Sequence, residues 1–484
     1  MNKRQLNILE RSLGLVAEIR PGEGTTAILL TLNLFIILTA YLMIKTVREP
    51  LILTQGGAAV KSYAAAGQAL LFLVVVPAYG FIASRVNRIR LITWVTTFFI
   101  TNLLCFYALA HFHVPIGIVF FLWVGIFNLL VVAQFWSFAN DIYTQEQGQR
   151  LFAIVAFGGS LGAILGPIVA GWLIRPLGTY QLMLIAAGLL AISIILAKLV
   201  NAREKRLLNS AVRTADTEKP VGQADGFGLV MRQRYLLLIA LLMVVANLVN
   251  TTGEYILGKK VTDEAQLVIA DEERRTITEA LGSSLTSAQR EKVAQVFLGE
   301  FYGNFFFWVS LCEALIQLFL VSRIFKYFGL AGALYFLPLI ALGSYSLIAV
   351  IPVLSYIRIA KITEKSVDYS VQNTARQTLF LPTSREVKYK AKAAIDTFFV
   401  RFGDVLAAVL VFGGVTFAFS ISAFALVNIF ITGLWLLLAM GIVREHRKLL
   451  GAPTRAGGIE SMQNSRTMMK EDIRLRTRSE NVIK

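Results

Sequence analysis

About a dozen apolar stretches, each long enough to cross a lipid bilayer, occupy most of this 484-residue chain. A helix needs about 20 apolar residues to span the hydrocarbon core. Inside lipid the backbone must satisfy its own hydrogen bonds, so only helices and closed barrels cross. The pattern predicts an all-α polytopic membrane protein with about 12 transmembrane helices in two six-helix bundles. The predicted spans are residues 25–44, 62–83, 91–111, 115–139, 151–174, 180–200, 234–256, 301–325, 329–349, 351–373, 392–415 and 421–443.

Composition supports this class and argues against others. Hydrophobic residues make up 56% of the chain and charged residues 16%, against about 25% charged residues in soluble domains. A net charge of +17 would suggest nucleic-acid binding in a soluble protein, but here the positive-inside rule accounts for it and no nucleic-acid partner is expected. Cys105 and Cys312 lie in apolar runs, where packing is their expected role. Only three histidines occur, which argues against a metal site.

Basic residues set the predicted orientation. Arg and Lys concentrate in the loops on one side, whereas the short loops at 112–114, 350 and 416–420 on the other side contain neither. Because cytoplasmic loops carry the excess of Lys and Arg, both termini are predicted to be cytoplasmic. Residues 1–24 are polar and mixed in charge, so we expect no cleavable signal peptide.

Two segments interrupt the rhythm of the spans. A charged linker at 201–233 separates an N-terminal bundle, 1–200, from a C-terminal bundle, 234–450. The polar, net acidic residues 257–300 are predicted to form an external insert. The basic tail at 451–484 is predicted to be a disordered or lipid-associated cytoplasmic segment.

Two local patterns add detail to this organisation. Within the insert, Thr286 and Gln289 have the spacing of a capping box before a short surface helix. Span two ends in a basic turn at 80–90, and its counterpart span eight ends in another at 322–329. The equivalent turns suggest a parallel internal repeat, although basic residues at a cytoplasmic helix end are expected without one.

The first span carries charge where lipid is expected. Tyr41, Lys45 and Arg48 are spaced four and three residues apart and therefore share one helix face. Glu49 and Pro50 follow directly. Substrate binding is one interpretation. Snorkelling of the cations to headgroups, or a local pair with Glu49, is the alternative.

The seventh span is the counterpart of the first. Asn247, Asn250 and Glu254 again lie three and four residues apart on one face. This face is a candidate for substrate contacts. The alternatives are hydrogen bonds between helices for the asparagines and simple solvation for Glu254.

Span ten carries a charged stripe formed by Arg358, Lys361, Lys365 and Asp368. A charge in mid-bilayer costs on the order of 3 kcal/mol, so such a stripe must face water, a partner or a bound ion. The alternative to a binding surface is a zipper of ion pairs between the bundles, and such pairs can act as gates.

Span eleven begins with Lys390, Lys392 and Asp396 and continues to Arg401 and Asp404. Cations outnumber anions across spans one, ten and eleven, so a shared pocket would favour an organic anion. The predicted cationic pocket is lined by Lys45, Arg48, Arg358, Lys361, Lys365, Lys392 and Arg401. The carboxylates assigned to gating or coupling are Glu49, Glu313, Asp368 and Asp404.

Span five carries Gly158, Gly162, Gly166 and Pro167. Glycines every four residues let a neighbouring helix approach closely, so helix packing is their expected role, with a sliding seam as a further option. Elsewhere the sequence contains no Ser/His/Asp grouping, zinc-ligand spacing or phosphate-binding glycine loop. We therefore expect a transporter that is not an enzyme, needs no cofactor and is monomeric.

Two motifs resemble the major facilitator superfamily. The run from Gly162 through Gly166 and Pro167 to Gly171 resembles its fifth-helix antiporter motif. Residues 80–90 resemble its loop between helices two and three, with Ser84 where an aspartate is usual. The resemblance implies a major-facilitator-like fold.

Three stretches resemble the ATP/ADP translocase family of plastids and intracellular bacteria. Residues 45–54 are similar to its charged run after helix one, and 135–142, with Arg150-Leu-Phe, to its segment after helix four. Residues 388–396 are similar to its Lys-x-Lys-x-Lys-Ala-Ala-Ile-Asp segment. The resemblance implies a nucleotide transporter of the bacterial inner membrane.

Carried over by position, Arg48 and either Lys390 or Lys392 match lysines that this family uses for nucleotide exchange. Two family glutamates have no match, since one falls near Val124 and the other near Asn250. The resemblance therefore implies ATP/ADP or another nucleotide as the exchanged anion.

Two other hypotheses stay open at this point. One is proton-coupled transport of another metabolite, with Glu254, Glu313, Asp396 or Asp404 as the proton carrier. The other is a membrane-embedded lipid-handling enzyme, which would need a catalytic cluster near one membrane face.

Overall fold

The computed structural model describes residues 19–83, 85–208, 226–279, 284–381, 383 and 391–451. Within these ranges the regular secondary structure is helical and no strand occurs. Ten helices in these ranges have the length and hydropathy of membrane spans, because each offers an apolar run longer than the hydrocarbon core requires. The predicted all-α polytopic fold is confirmed.

Six long helices come from the first half of the chain and correspond to the first six predicted spans. Short connections join them, as expected for antiparallel neighbours. They are α1 (Gly24–Gln55), α2 (Gly57–Ala83), α3 (Arg88–His111), α4 (Gly117–Ile142), α5 (Gln145–Leu177) and α6 (Gln181–Leu208).

The second half begins with a short helix, Gly226–Arg232, and continues with six longer segments. Three of them contain or adjoin a π-helical turn. These turns are Ile316–Leu320 at the end of α8, Asp368–Gln372 within α10 and Ile395–Phe399 before α11. Such turns recur at functional sites. The segments are α7 (Arg234–Glu279), α8 (Ser287–Leu315), α9 (Val321–Val350), α10 (Leu354–Val367, extended by Asn373–Leu379), α11 (Val400–Thr416) and α12 (Ile421–Gly451).

A glycine kink separates spans eight and nine. Helix α8 continues through its π-helical turn into the first residues of α9, and the backbone then bends at Gly329, where φ is 64°. Glycine adopts this left-handed conformation without the steric penalty that a Cβ imposes. The kink therefore lies where the sequence predicts the boundary between these two spans.

The insert between spans seven and eight is built from extensions of both helices. Helix α7 has 46 residues, about 69 Å at the rise of an α-helix, and it projects past a hydrocarbon core of about 30 Å. At Thr286 the predicted capping box is present, with the Gln289 side chain accepting the Thr286 N–H at 2.8 Å. The helix that it caps is α8 itself and not a separate surface helix, because no proline stops the chain before span eight.

Buried side chains form two cores. The first joins residues of α1 and α3 to α6, where the Phe99 ring packs edge-on against Trp123 and Phe127. The second is made mainly from α7 to α12, with Tyr302 and Tyr345 among its largest buried side chains, and it also includes a few residues of α1, α2 and α4. We call the membrane side where α1 begins the near side and the opposite side the far side.

The halves meet along a seam toward the far side. Helix α5 crosses α8 so closely that a Cβ added to Gly303 would lie 2.7 Å from the Gly171 Cα atom. Arg175 pairs with Glu300 across the same crossing, with Nε and Oε1 2.6 Å apart. These contacts join the two halves on the far side of the space between them.

The other glycines of α5 face α1 within the first half. A Cβ at Gly158, Gly162 or Gly166 would lie 2.4 to 2.7 Å from a carbonyl oxygen of α1. Close approach of two backbones needs residues without side chains. Pro167 lies on the same helix, and its carbonyl oxygen faces Gly303 of the second half.

The remaining predicted boundaries stay predictions. They are the divisions at residues 200 and 234 and the cytoplasmic placement of the termini. Residues 209–225 of the linker and the tail from 452 lie outside the described residues.

Candidate functional site

A polar cavity of about 200 Å³ lies between the two halves. Helices α1, α2 and α4 line one wall and α7, α10 and α11 the other. The charged lining residues are Lys45, Arg48, Lys61, Glu254, Lys365, Arg401 and Asp404, and the amide-bearing ones are Gln68, Asn128, Asn247 and Asn250.

The structure therefore brings together most of the charged faces that the sequence singled out. Lys45 and Arg48 face the cavity from α1, and Asn250 and Glu254 face it from α7. Helix periodicity explains both pairs, because residues three or four apart lie one above the other.

Four charged side chains form an ion-pair ladder across the cavity. The Lys61 ammonium lies 2.6 Å from Glu49 Oε2 and 3.2 Å from Glu254 Oε2. The Lys365 ammonium pairs with the other oxygen of Glu254. Because Lys61 belongs to α2 and Glu254 to α7, this ladder joins the two halves.

Glu49 lies behind the cavity wall rather than in it. Its carboxylate is fully buried and pairs with Arg48 as well as with Lys61. A buried charge is tolerated when it is paired and hydrogen-bonded. Glu49 thus orients two of the cations that line the cavity.

The cations that line the cavity lie over aromatic rings, and the two from α1 are examples. The Lys45 ammonium lies 4.5 Å from the centre of the Phe306 ring, and the Arg48 guanidinium 4.4 Å from that of Phe121. Cation–π contact offsets part of the cost of desolvation. Among the described residues Lys45 has no ion-pair partner, so its charge is available to a ligand.

The second wall is braced at Asp404. Its carboxylate accepts hydrogen bonds of 2.7 Å from Asn247 and Thr251 on α7, and Arg401 pairs with it at 3.1 Å. The arrangement ties α11 to α7. Asn247 therefore makes the contact between helices that the sequence left open as an alternative, and it also lines the cavity.

The cavity is electropositive. Its lining together with Glu49 holds five cationic and three anionic side chains among the described residues, a net charge of +2. A water-filled cavity of one charge sign concentrates ligands of the opposite sign. Its chemistry fits an organic anion.

Two predicted cations of α10 lie away from the cavity lining. Lys361 is fully buried and pairs with Glu364 at 2.6 Å. Arg358 lies seven residues, about 10 Å, before Lys365 toward the start of the helix, where it bonds to Asn304 of α8. The charged stripe is longer than the cavity. Of its three cations, Lys365 lines the cavity, whereas Arg358 and Lys361 do not.

Span eleven is divided in the same way. Lys392 and Asp396 precede Arg401 by at least one turn and do not line the cavity. The Lys392 ammonium instead donates to Gln377 Oε1 and lies over the Phe380 ring. Lys390 lies outside the described residues.

The last two predicted coupling carboxylates are also outside this cavity. Glu313 is partly buried on α8. Asp368 lines a smaller cavity inside the second half, together with Glu364 and Arg376. Asn250 lines both cavities.

Comparison with known proteins decides the family. The model of the Major Facilitator Superfamily matches residues 25–367, which is most of the chain. This chain belongs to the Major Facilitator Superfamily. The predicted resemblance to that superfamily is thereby confirmed.

Curated relatives carry a more specific name. The chain is 23% identical over 312 residues to ADP,ATP carrier protein 1 of Chlamydia trachomatis, covering 57% of this chain and 54% of the relative. It is 23% identical over 354 residues to ADP,ATP carrier protein 1 of Chlamydia pneumoniae, covering 64% of each. The chain thus spans about half to two thirds of these relatives, and the predicted resemblance to the ATP/ADP translocase family is confirmed.

Solved structures share the fold at low sequence identity. The nucleoside transporter NupG superposes with a TM-score of 0.58 at 12% identity, covering 87% of this chain and 98% of that one. A bacterial homologue of the iron transporter ferroportin gives 0.57 at 12% identity, covering 86% and 98%. These likenesses confirm a major facilitator fold.

Among the charged residues that line the cavity, Lys61 was not predicted from the sequence. It lies immediately before the predicted second span, 62–83. A signal was available, because Lys61 and Gln68 lie seven residues apart and thus share a face of α2. Both line the cavity of this major facilitator fold.

Proposed function

We propose that this protein is an alternating-access carrier that exchanges organic anions, with ATP and ADP or another nucleotide as substrates. The observation that carries the proposal is the convergence of cations from both halves on one cavity. Lys45, Arg48 and Lys61 come from the first half, and Lys365 and Arg401 from the second. A ligand bound between them contacts both halves, as alternating access requires.

The chemistry of the lining supports a phosphorylated anion. Ammonium and guanidinium groups form charge-assisted hydrogen bonds with phosphate oxygens. The amides of Gln68, Asn128 and Asn250 can donate to and accept from a base or a ribose. Tyr41 and Tyr369 add aromatic surface to the same cavity.

The relatives support a nucleotide as the substrate. Their name, ADP,ATP carrier protein, identifies them as carriers of ADP and ATP. The charged run of α1 that resembles that family supplies Lys45 and Arg48 to the cavity. We also propose that the protein lies in a bacterial inner membrane, which the family resemblance supports, with the near side facing the cytoplasm, which the distribution of Lys and Arg supports.

Exchange in reconstituted vesicles tests this proposal. Vesicles loaded with ADP should take up labelled ATP, and vesicles without internal nucleotide should take up little. Arg48→Ala and Lys365→Ala should each lower uptake by about tenfold or more, because a lost hydrogen bond to a charged group costs roughly 1.5–3 kcal/mol.

Lys260→Ala is the matched control, since Lys260 pairs with Glu264 on the α7 extension and does not line the cavity. Uptake that survives both cavity substitutions, or that falls equally in the control, would exclude this cavity as the binding site.

Proton-coupled transport is a second candidate, and the smaller cavity in the second half favours it. Glu364 and Asp368 line that cavity. Among the described contacts Glu364 Oε1 and Trp435 Nε1 are buried there without a hydrogen-bond partner. Uptake that collapses with the proton gradient and ignores internal nucleotide would support this candidate over exchange.

A further inference from the structure

Glu254 occupies a position that a substrate anion would be expected to take. One carboxylate oxygen pairs with Lys365, and the other lies 3.2 Å from the Lys61 ammonium. Lys61 belongs to the first half of the molecule, whereas Glu254 and Lys365 belong to the second. A single carboxylate therefore bridges the two halves inside the cavity.

The two carboxylates of the ladder differ in accessibility. The Glu49 side chain is 0% exposed, and Arg48 and Lys61 enclose it. The Glu254 side chain is 28% exposed and lines the cavity. An entering anion can replace Glu254 on its two lysines without disturbing Glu49.

We propose that Glu254 is a tethered counter-anion that holds Lys61 and Lys365 when the cavity is empty and that the substrate anion displaces it. This inference deepens the proposed exchange function and rests on it. In this role Glu254 couples transport to the counter-substrate, because its bridge keeps the empty carrier closed until an anion takes the place of the carboxylate.

Electrostatics gives the bridge its strength. The Lys61 and Lys365 side chains are only 8% and 6% exposed, and burying an ammonium group without a partner is costly. Glu254 pairs with both while the cavity is empty, and Lys61 keeps Glu49 as a second partner. A phosphate group offers more charge and more acceptor oxygens than a carboxylate, so it can compete for the same two cations.

Substitution of Glu254 can either tighten or weaken the binding of the substrate anion, depending on the role of this side chain. If Glu254 competes with the substrate, removing its charge tightens anion binding. If Glu254 instead accepts hydrogen bonds from the substrate, removing its charge weakens binding. The two roles are thus separated by the direction of one affinity change.

Titration calorimetry of the purified full-length protein with ATP and with inorganic tripolyphosphate measures that direction. Glu254→Gln should bind both about tenfold more tightly than the unmodified protein, which corresponds to ~1.4 kcal/mol. In vesicles the same variant should release labelled ATP into nucleotide-free medium about tenfold faster. Glu264→Gln is the control, since Glu264 lies on the same helix, pairs with Lys260 and does not line the cavity.

The outcomes separate the two proposals. Weaker or unchanged binding of both ligands by Glu254→Gln overturns the counter-anion role, as does an unchanged rate of release. Tripolyphosphate that binds more tightly to Glu254→Gln, with no response to ATP in either protein, supports the role and rejects a nucleotide substrate. If Glu254→Gln does not fold, Glu254→Asp keeps the charge and shortens its reach, and it should still bind tripolyphosphate more tightly than the unmodified protein; equal or weaker binding by this variant also overturns the role.

Discussion

At the scale of single residues, the partners of a charge decide its role. Lys361 and Lys365 are four residues apart on α10, yet one is sealed against Glu364 in the second half and the other faces the cavity. Both lysines are buried and paired, but the partner of Lys365, Glu254, also pairs with Lys61, whereas Glu364 has Lys361 as its one ion-pair partner among the described residues. A buried pair broken on one side leaves an uncompensated charge. The two lysines should therefore respond differently to substitution.

Lys361→Met should reduce stability without acting on the cavity directly. It leaves Glu364 buried with only the Tyr345 hydroxyl, 3.2 Å away, as a described hydrogen-bond donor, and breaking a buried pair costs roughly 3–5 kcal/mol. Thermal unfolding in detergent measures the loss. The double variant Lys361→Met, Glu364→Leu should recover most of it, and no recovery would contradict the assigned pairing.

Asp404 is expected to act as a brace. Asp404→Asn weakens its bonds to Thr251, Asn247 and Arg401, and Thr251→Val removes only one donor. A hydrogen bond to a charged group contributes about 1.5–3 kcal/mol, so the aspartate variant should lose more stability than the threonine variant. Unfolding curves of the two variants compare their losses of stability. If Asp404 serves only to bind substrate, Thr251→Val should lose more stability than Asp404→Asn.

At the scale of helices, glycines determine where helix backbones can approach. Gly162 lies against α1 within the first half, and a Cβ there would be 2.4 Å from the Phe35 carbonyl oxygen. Gly303 lies against α5 across the seam between the halves. One contact belongs to a permanent interface, and the other must separate if the far side opens.

Gly303→Ala should therefore favour opening of the far side, while Gly162→Ala should lower stability in both states. The Cβ that Gly303→Ala adds would meet the Gly171 Cα atom at 2.7 Å only while the seam is closed. In a protein with Cys105 and Cys312 replaced by serine, an impermeant maleimide added on the far side should label Ser62→Cys in the cavity faster when Gly303→Ala is present.

Gly343→Ala is the matched control for this experiment, because no atom lies within 4 Å of a Cβ at that position. It should leave the labelling rate unchanged, since alanine is well tolerated in a helix interior. Equal labelling of the parent protein and of both glycine variants would contradict the role of the Gly171–Gly303 crossing in closing the far side.

At the scale of the whole molecule, two halves meet around one electropositive cavity. Each half contains its own buried aromatic cluster, and Ile52, Leu53, Ala58, Ala64 and Phe121 of the first half also pack against the core of the second. A ligand that bridges the cavity adds contacts to both walls. It should stabilise the folded protein in proportion to its occupancy.

Nucleotide binding should therefore raise the melting temperature. A ligand at 100 times its Kd contributes about 2.7 kcal/mol of stability by mass action. ATP and ADP should raise the melting temperature of the unmodified protein and of Lys260→Ala, and Lys365→Ala should lose most of the increase. An equal increase in all three proteins would show that the nucleotide binds elsewhere.

The sequence by itself determined the fold class, the order of the spans and the cationic character of a central site. Apolar run length sets the spans, and the helical period sets which residues share a face, so the Lys45–Arg48 and Asn250–Glu254 pairs could be predicted. The capping box at Thr286 was equally readable, because it involves only neighbouring residues.

Only the tertiary structure decided which charged faces meet. Periodicity gives a direction around one helix but neither the depth along it nor the neighbour it faces. For that reason Arg358, Lys361 and Lys392 could not be separated from Lys365 and Arg401, and Lys61 could not be joined to Glu254. Those pairings depend on how α2, α7 and α10 pack, which is a property of the assembled helices and not of any one of them.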